Sequence, residues 1–146
     1  MAASPTWILE SKIARPTAPA GWSRPPLMPA DEPLPPALLL VAGPGYGKTR
    51  ALAAIATQAA EAGGIVAWVG LDEGDADTAT VFHYMLAALR TSLPDFGAEL
   101  EAGLADDDPR GPWTRLLRAL AAYGAPVLLA LDDAHHLGPT LLKAML

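Results

Sequence analysis

The stretch Leu38-Leu39-Leu40-Val41-Ala42-Gly43-Pro44-Gly45-Tyr46-Gly47-Lys48-Thr49 limits what this chain can become more than any other. An apolar run stops at a glycine-rich turn, Lys-Thr follows, and an alanine-rich segment comes next. That order predicts strand, loop, helix. A phosphate-binding loop asks for Gly, four residues, then Gly-Lys-Ser/Thr. Ala42 holds the first position and Gly43 follows it, which matches the relaxed form. Gly45 and Gly47 lack a Cβ, so the chain can take positive φ and wrap closely round an anion. Gly43, Pro44, Gly45, Tyr46, Gly47, Lys48, Thr49 and Arg50 then form one concavity at a helix N-terminus, into which successive backbone N–H groups point, Pro44 having none to give. Lys48 would set its ammonium on the β- and γ-phosphates, and Thr49 would offer its hydroxyl to Mg²⁺. The plain alternative is a glycine-rich turn that binds nothing. The flanks favour the phosphate loop, because Leu52, Ile55 and Ala59 repeat on one helical face after it. Tyr46 reads as a packing or lid element.

A chain of 146 residues suffices for one domain of modest core. Apolar residues make up 51%, which predicts folding rather than disorder, and the net charge of −6 argues against a basic nucleic-acid face. Without cysteine there are no disulfides and no thiolate metal sites. No signal peptide or bilayer-long apolar run stands out, and a cytoplasmic location is the expectation.

Residues 1–36 are crowded with proline, from Pro5 to Pro36. Proline fixes φ and removes donors, so this part reads as an N-terminal arm. Within it, Trp7 to Ile13 is compatible with a helical turn or an extended segment. Arg15, Trp22 and Arg24 are its candidate nucleotide contacts, with a solvated arm as the alternative. Residues 37–146 read as an α/β domain. Leu38–Val41 is the first expected strand, apolar on both faces like a parallel strand under helices. A helix runs from Gly47 to about Ala62, and Gly63-Gly64 ends it. Ile65–Leu71 is the second expected strand.

An acidic turn, Asp72-Glu73-Gly74-Asp75-Ala76-Asp77, follows at a strand's carboxyl end, where α/β proteins keep their sites. Asp77 reads as the cap of the next helix. Asp72 reads equally as an acid near phosphate and as a solvated loop residue. Phe82, Met85, Leu86 and Leu89 mark a helix over 78–91, with His83 beside the stripe. Phe96, Leu100 and Leu104 suggest a shorter helix ended by Asp106-Asp107-Asp108. Asp108 then caps a helix with Pro109 in its first turn and Trp113, Leu116, Leu117 and Leu120 buried. Pro126–Leu131 is the third expected strand, ending in Asp132-Asp133. An apolar strand that ends in acids is the Walker B arrangement. Asp132 would hold Mg²⁺ through water, and Asp133 would orient the attacking water. A metal site of Asp132, His135 and His136 is the minor alternative to a loop of packed and solvated histidines. Another helix starts at Leu137.

Four segments together resemble a known family: 42–49, Ala67-Trp68-Val69-Gly70-Leu71-Asp72-Glu73-Gly74-Asp75, 82–90 and 128–137. They look like the N-terminal ATPase module of MalT-like regulators, the large ATP-binding LuxR-type activators of the STAND class. Ile8 to Ile13 and Arg24-Pro25-Pro26-Leu27 are similar to that family's lead-in. Arg50 stands where the family usually has a small hydroxyl residue, and Pro26 where the lead-in often has a second arginine. The resemblance implies a three-layer α/β/α P-loop NTPase that binds ATP with Mg²⁺, hydrolyses it slowly and self-associates. Lys48 and Asp133 would be catalytic, and Thr49 and Asp132 would hold the metal. DNA would be bound only by a helix-turn-helix beyond residue 146. ATPases of this class order their strands 5-1-4-3-2. The chain carries strands 1–3 alone, so an incomplete parallel sheet and a truncated, marginally stable product are expected. Two rivals remain: a nucleotide-binding interaction module without turnover, and a P-loop small-molecule kinase.

Overall fold

A computed structural model describes residues 7–17, 32–101 and 110–145, with the backbone alone at 110 and 144. Among the described residues, five α-helices and two strands follow in the order α1 (Glu10–Ile13), α2 (Lys48–Glu61), β1 (Ile65–Gly70), α3 (Thr78–Arg90), α4 (Arg110–Tyr123), β2 (Val127–Asp132) and α5 (Pro139–Met145). The strands pair in parallel, with Ile65 opposite Val127 and Gly70 opposite Asp132. No described helix is long and apolar enough to cross a membrane.

Strand alternation divides the core between the two faces of this sheet. Ala67 and Val69 of β1 face α3 and α4, joined by Val127, Leu129 and Leu131 of β2. Trp68 and Ala130 face α2 and meet Ala53 and Ala56. The result is helix, sheet, helix. The larger core lies on the α3 side, where Phe82, Met85, Leu86 and Leu89 are each 0% exposed. Each contributes roughly 1.5–3 kcal/mol by leaving water. The Phe82 ring meets Trp113 of α4 edge-on at 6.1 Å between centroids.

The connections follow local rules. Gly64 N–H donates to the Ala59 carbonyl and Gly63 N–H to that of Ala60, closing α2 in a Schellman turn. Gly64 leaves no room for more: a Cβ there would stand 2.9 Å from the Ala59 carbonyl oxygen. Gly64→Ala is therefore expected to lower stability by about 1–3 kcal/mol, read as a lower urea midpoint with unchanged slope. Asp77 caps α3, accepting from Thr80 N–H at 2.9 Å.

Three expectations are corrected. Leu38–Val41 is not a strand. Leu39 is 75% and Val41 82% exposed. A strand needs a neighbour to take its N–H and C=O groups, and among the described residues the sheet is β1 and β2 alone. Residues 94–100 form turns rather than a helix, because Gly97 takes φ 68° and breaks the repeat. Leu104, Asp106–Asp108 and Pro109 lie outside the described residues. Leu117 is 52% exposed instead of buried with Trp113, Leu116 and Leu120. It borders the cleft beside β2.

Candidate nucleotide site

The loop from Ala42 to Gly47 has the backbone that its glycines permit. Gly45 takes φ 78° and Gly47 φ 75°, a region costly to residues with a side chain. Gly47 is the N-cap of α2, and Lys48, Thr49 and Arg50 form its first turn. Lys48 turns back over the loop. Its Nζ donates to the carbonyls of Ala42 at 2.9 Å and Gly43 at 3.0 Å. Tyr46 is 76% exposed. Its ring lies against Gly43, 3.3 Å from where a Cβ would stand.

On the far side, β2 ends at Asp132, and Asp133 takes φ 54°, the one non-glycine residue with positive φ among those described. Asp133 N–H donates to Asp132 Oδ1 at 3.2 Å. His135 Nδ1 lies 3.8 Å from Asp133 Oδ1, and the His135 and His136 rings are 4.1 Å apart. No three metal-binding side chains converge among the described residues, so the Asp132, His135 and His136 site is not formed.

Both ends border one cleft of about 1840 Å³. Pro44, Gly45, Gly47, Lys48, Thr49 and Arg50 line one wall, and Asp132, Asp133 and His135 line another. Gly43 and Tyr46 are not in its lining. Leu38–Val41, residues of β2, and apolar residues of α2, α4 and α5 also line it, together with Pro16 and Thr17 of the arm. Arg15 is exposed. Trp22 and Arg24 lie outside the described residues.

These residues fit a magnesium nucleotide. At Gly45 nothing stands within 4 Å of a would-be Cβ, which leaves the loop open to an anion. Thr49 and Asp132 supply the hard oxygen donors that Mg²⁺ takes.

The acidic turn does something the sequence reading missed. Asp72 does not line the cleft; its side chain is 60% exposed, as a solvated loop residue would be, but it also carries an ion pair. Lys12 of α1 places its Nζ 2.8 Å from Asp72 Oδ2 and 2.6 Å from Asp75 Oδ2. Asp75 also accepts from Asp72 N–H, and Asp72 from Gly74 N–H, each at 2.9 Å. The Lys12 ammonium, then the Gly74 N–H, holds the Asp72 carboxyl below its ordinary 3.8. Burial pulls the Lys12 ammonium down, but the two carboxylates outweigh it and leave it raised. The Asp72 contribution is thus present above the ordinary carboxylate value and lost as pH falls through the lower folded one. A lone lysine in a proline-rich arm gave no signal of this pairing.

The architecture and loop define a P-loop nucleotide-binding α/β protein. The family model for the AAA ATPase domain matches residues 27–146. The chain belongs to that family. Neither the curated proteins nor the solved structures compared with it include a match.

Proposed function

We propose that this chain is the Mg·ATP-binding, slowly hydrolysing module of a MalT-like, STAND-class transcriptional regulator, working as a nucleotide-dependent switch. The observation that carries the reading is the sharing of one cleft by the Lys48–Thr49 loop and the Asp132-Asp133 strand end. Membership of the AAA ATPase domain family supports the ATPase part. The Leu71-Asp72-Glu73-Gly74-Asp75 turn and the lead-in from Ile8 support the regulator part.

In this reading Lys48 leaves the Ala42 and Gly43 carbonyls for the β- and γ-phosphates. The N–H groups from Gly45 to Thr49 hold phosphate oxygens, with Arg50 beside them. Thr49 and Asp132 hold Mg²⁺. When bound, that ion neutralises charge on the phosphate oxygens. Asp133 accepts a hydrogen bond from the attacking water and aligns it. Self-association and contact with DNA through a distant helix-turn-helix belong to the same proposal.

The direct test is titration calorimetry with ATP, with Mg²⁺ and then with a chelator. Tight binding in magnesium is the expected result, and none in either buffer sinks the reading. Asp132→Asn is expected to lose the gain from Mg²⁺ while keeping the weaker metal-free binding. A module that binds ATP without turning it over is the second reading, favoured by the unseated Leu38–Val41 segment. Phosphate release measured apart from binding separates the two, and turnover abolished by Asp133→Asn selects the enzyme.

A further inference from the structure

We propose that residues 7–17 are an N-terminal strap, latched by Lys12 on Asp72 and Asp75, that sets one wall of the cleft and through it the affinity for nucleotide. The affinity claim rests on the nucleotide reading of that cleft. The latch itself does not.

Helix α1 has four residues, Glu10–Ile13. A helix that short has no stability of its own in water, so its order comes from docking. The socket, in contrast, is built by its own turn. Asp72 and Asp75 form a reciprocal capping box around Glu73–Asp75, and each side chain takes a backbone N–H of that turn. Lys12 enters a prepared pair of carboxylates. Its side chain is 14% exposed and that of Asp75 only 4%, so water screens the Lys12–Asp75 pair weakly, whereas the Asp72 side chain is 60% exposed and its share of the hold is screened more. The ammonium also lies 5.1 Å from the centroid of the Tyr84 ring.

The second anchor is shallow. Trp7 meets His83 and Tyr84 edge-on at 5.5 and 5.7 Å, yet Trp7 stays 47% and Leu9 54% exposed. Ile8 and Ile13 are only partly buried against the core. Much of the hold therefore falls on Lys12, as a removable strap requires.

The strap reaches the cleft by a short, stiff route. Pro16 and Thr17 lie in the same lining as Thr49 and Asp132. Only Ile13, Ala14 and Arg15 separate Lys12 from Pro16, a span of at most about 14 Å, and proline fixes φ at its end. Little slack remains to absorb a displacement of Lys12 before the wall moves. Lys12 is thus a positioning residue that touches neither nucleotide nor metal.

The native chain has no cysteine, so spin labels at Thr17→Cys and Ala62→Cys report the width of the cleft directly. Hydrogen exchange at the Lys12 and Ala14 amides, bonded to Leu9 and Glu10, reports docking of the helix. Lys12→Met is expected to speed that exchange, lengthen or broaden the label distance, and weaken ATP binding by about tenfold, a common size for coupling between two sites. Lys12→Arg restores most of each. Asp72→Asn, which keeps the bond from Gly74 and leaves Asp75 in place, gives a partial release in case Lys12→Met fails to fold. Unchanged exchange and distance in Lys12→Met overturn the latch. Release of the arm with wild-type ATP affinity overturns its effect on the cleft. Failure of the wild-type protein to bind ATP removes the affinity claim together with the reading it rests on. Exchange and label distance then still decide the latch.

Discussion

Lys48→Ala is expected to weaken ATP binding by about 100-fold or more. Hydrogen bonds from a charged donor contribute about 1.5–3 kcal/mol each, and each 1.4 kcal/mol is about tenfold in affinity. An ammonium shared by two phosphates therefore accounts for about two to four decades. The loss should be one of binding and not of folding. In the structure the Lys48 bonds go to the exposed loop carbonyls of Ala42 and Gly43, which water can satisfy. The urea midpoint of the variant should thus match that of the parent while its heat of ATP binding disappears. Undiminished affinity in Lys48→Ala would mean that the loop does not grip the triphosphate.

Phe82→Ala carries the largest expected cost in stability. Its ring is 0% exposed and lies edge-on to Trp113, at the junction of α3, α4 and the sheet. Truncating a buried phenylalanine removes about 3–5 kcal/mol, from a total of about 5–15 kcal/mol for a whole domain. Much of that reserve should vanish. Equilibrium urea unfolding measures it, with Glu61→Ala at the exposed end of α2 as a control within about 0.5 kcal/mol. A Phe82→Ala loss below about 1 kcal/mol would mean that α3 and α4 do not share a core in solution.

What could be read in the sequence is what local chemistry decides. The helix after Lys48, its Gly63-Gly64 ending, the Asp77 cap and the Phe82–Leu89 stripe each depend on residues within a few positions. The β1 and β2 segments were legible because both are apolar throughout and bounded by turn residues. Leu38–Val41 shows the limit of that rule. Its composition suits a buried strand, but a strand exists only where another chain segment meets its hydrogen bonds, and composition does not report that. Gly97 and Leu117 were missed for smaller reasons: a single left-handed residue broke one helix, and the cleft exposed one position of another.

Of the candidate site, the loop and the strand end were legible from their motifs, and the structure brings both to one cleft. Lys12 was not. Its partner Asp75 lies 63 residues away, and only the folded chain brings the arm over the acidic turn.

The left-handed backbone at Asp133 decides which replacements can interrogate that position. Asparagine tolerates such a φ at least as well as aspartate, whereas alanine and glutamate fit it poorly. An amide swap isolates the carboxylate's charge. Deleting or lengthening the side chain mixes lost chemistry with a distorted turn, so a dead glutamate variant would carry less information than its conservative look suggests.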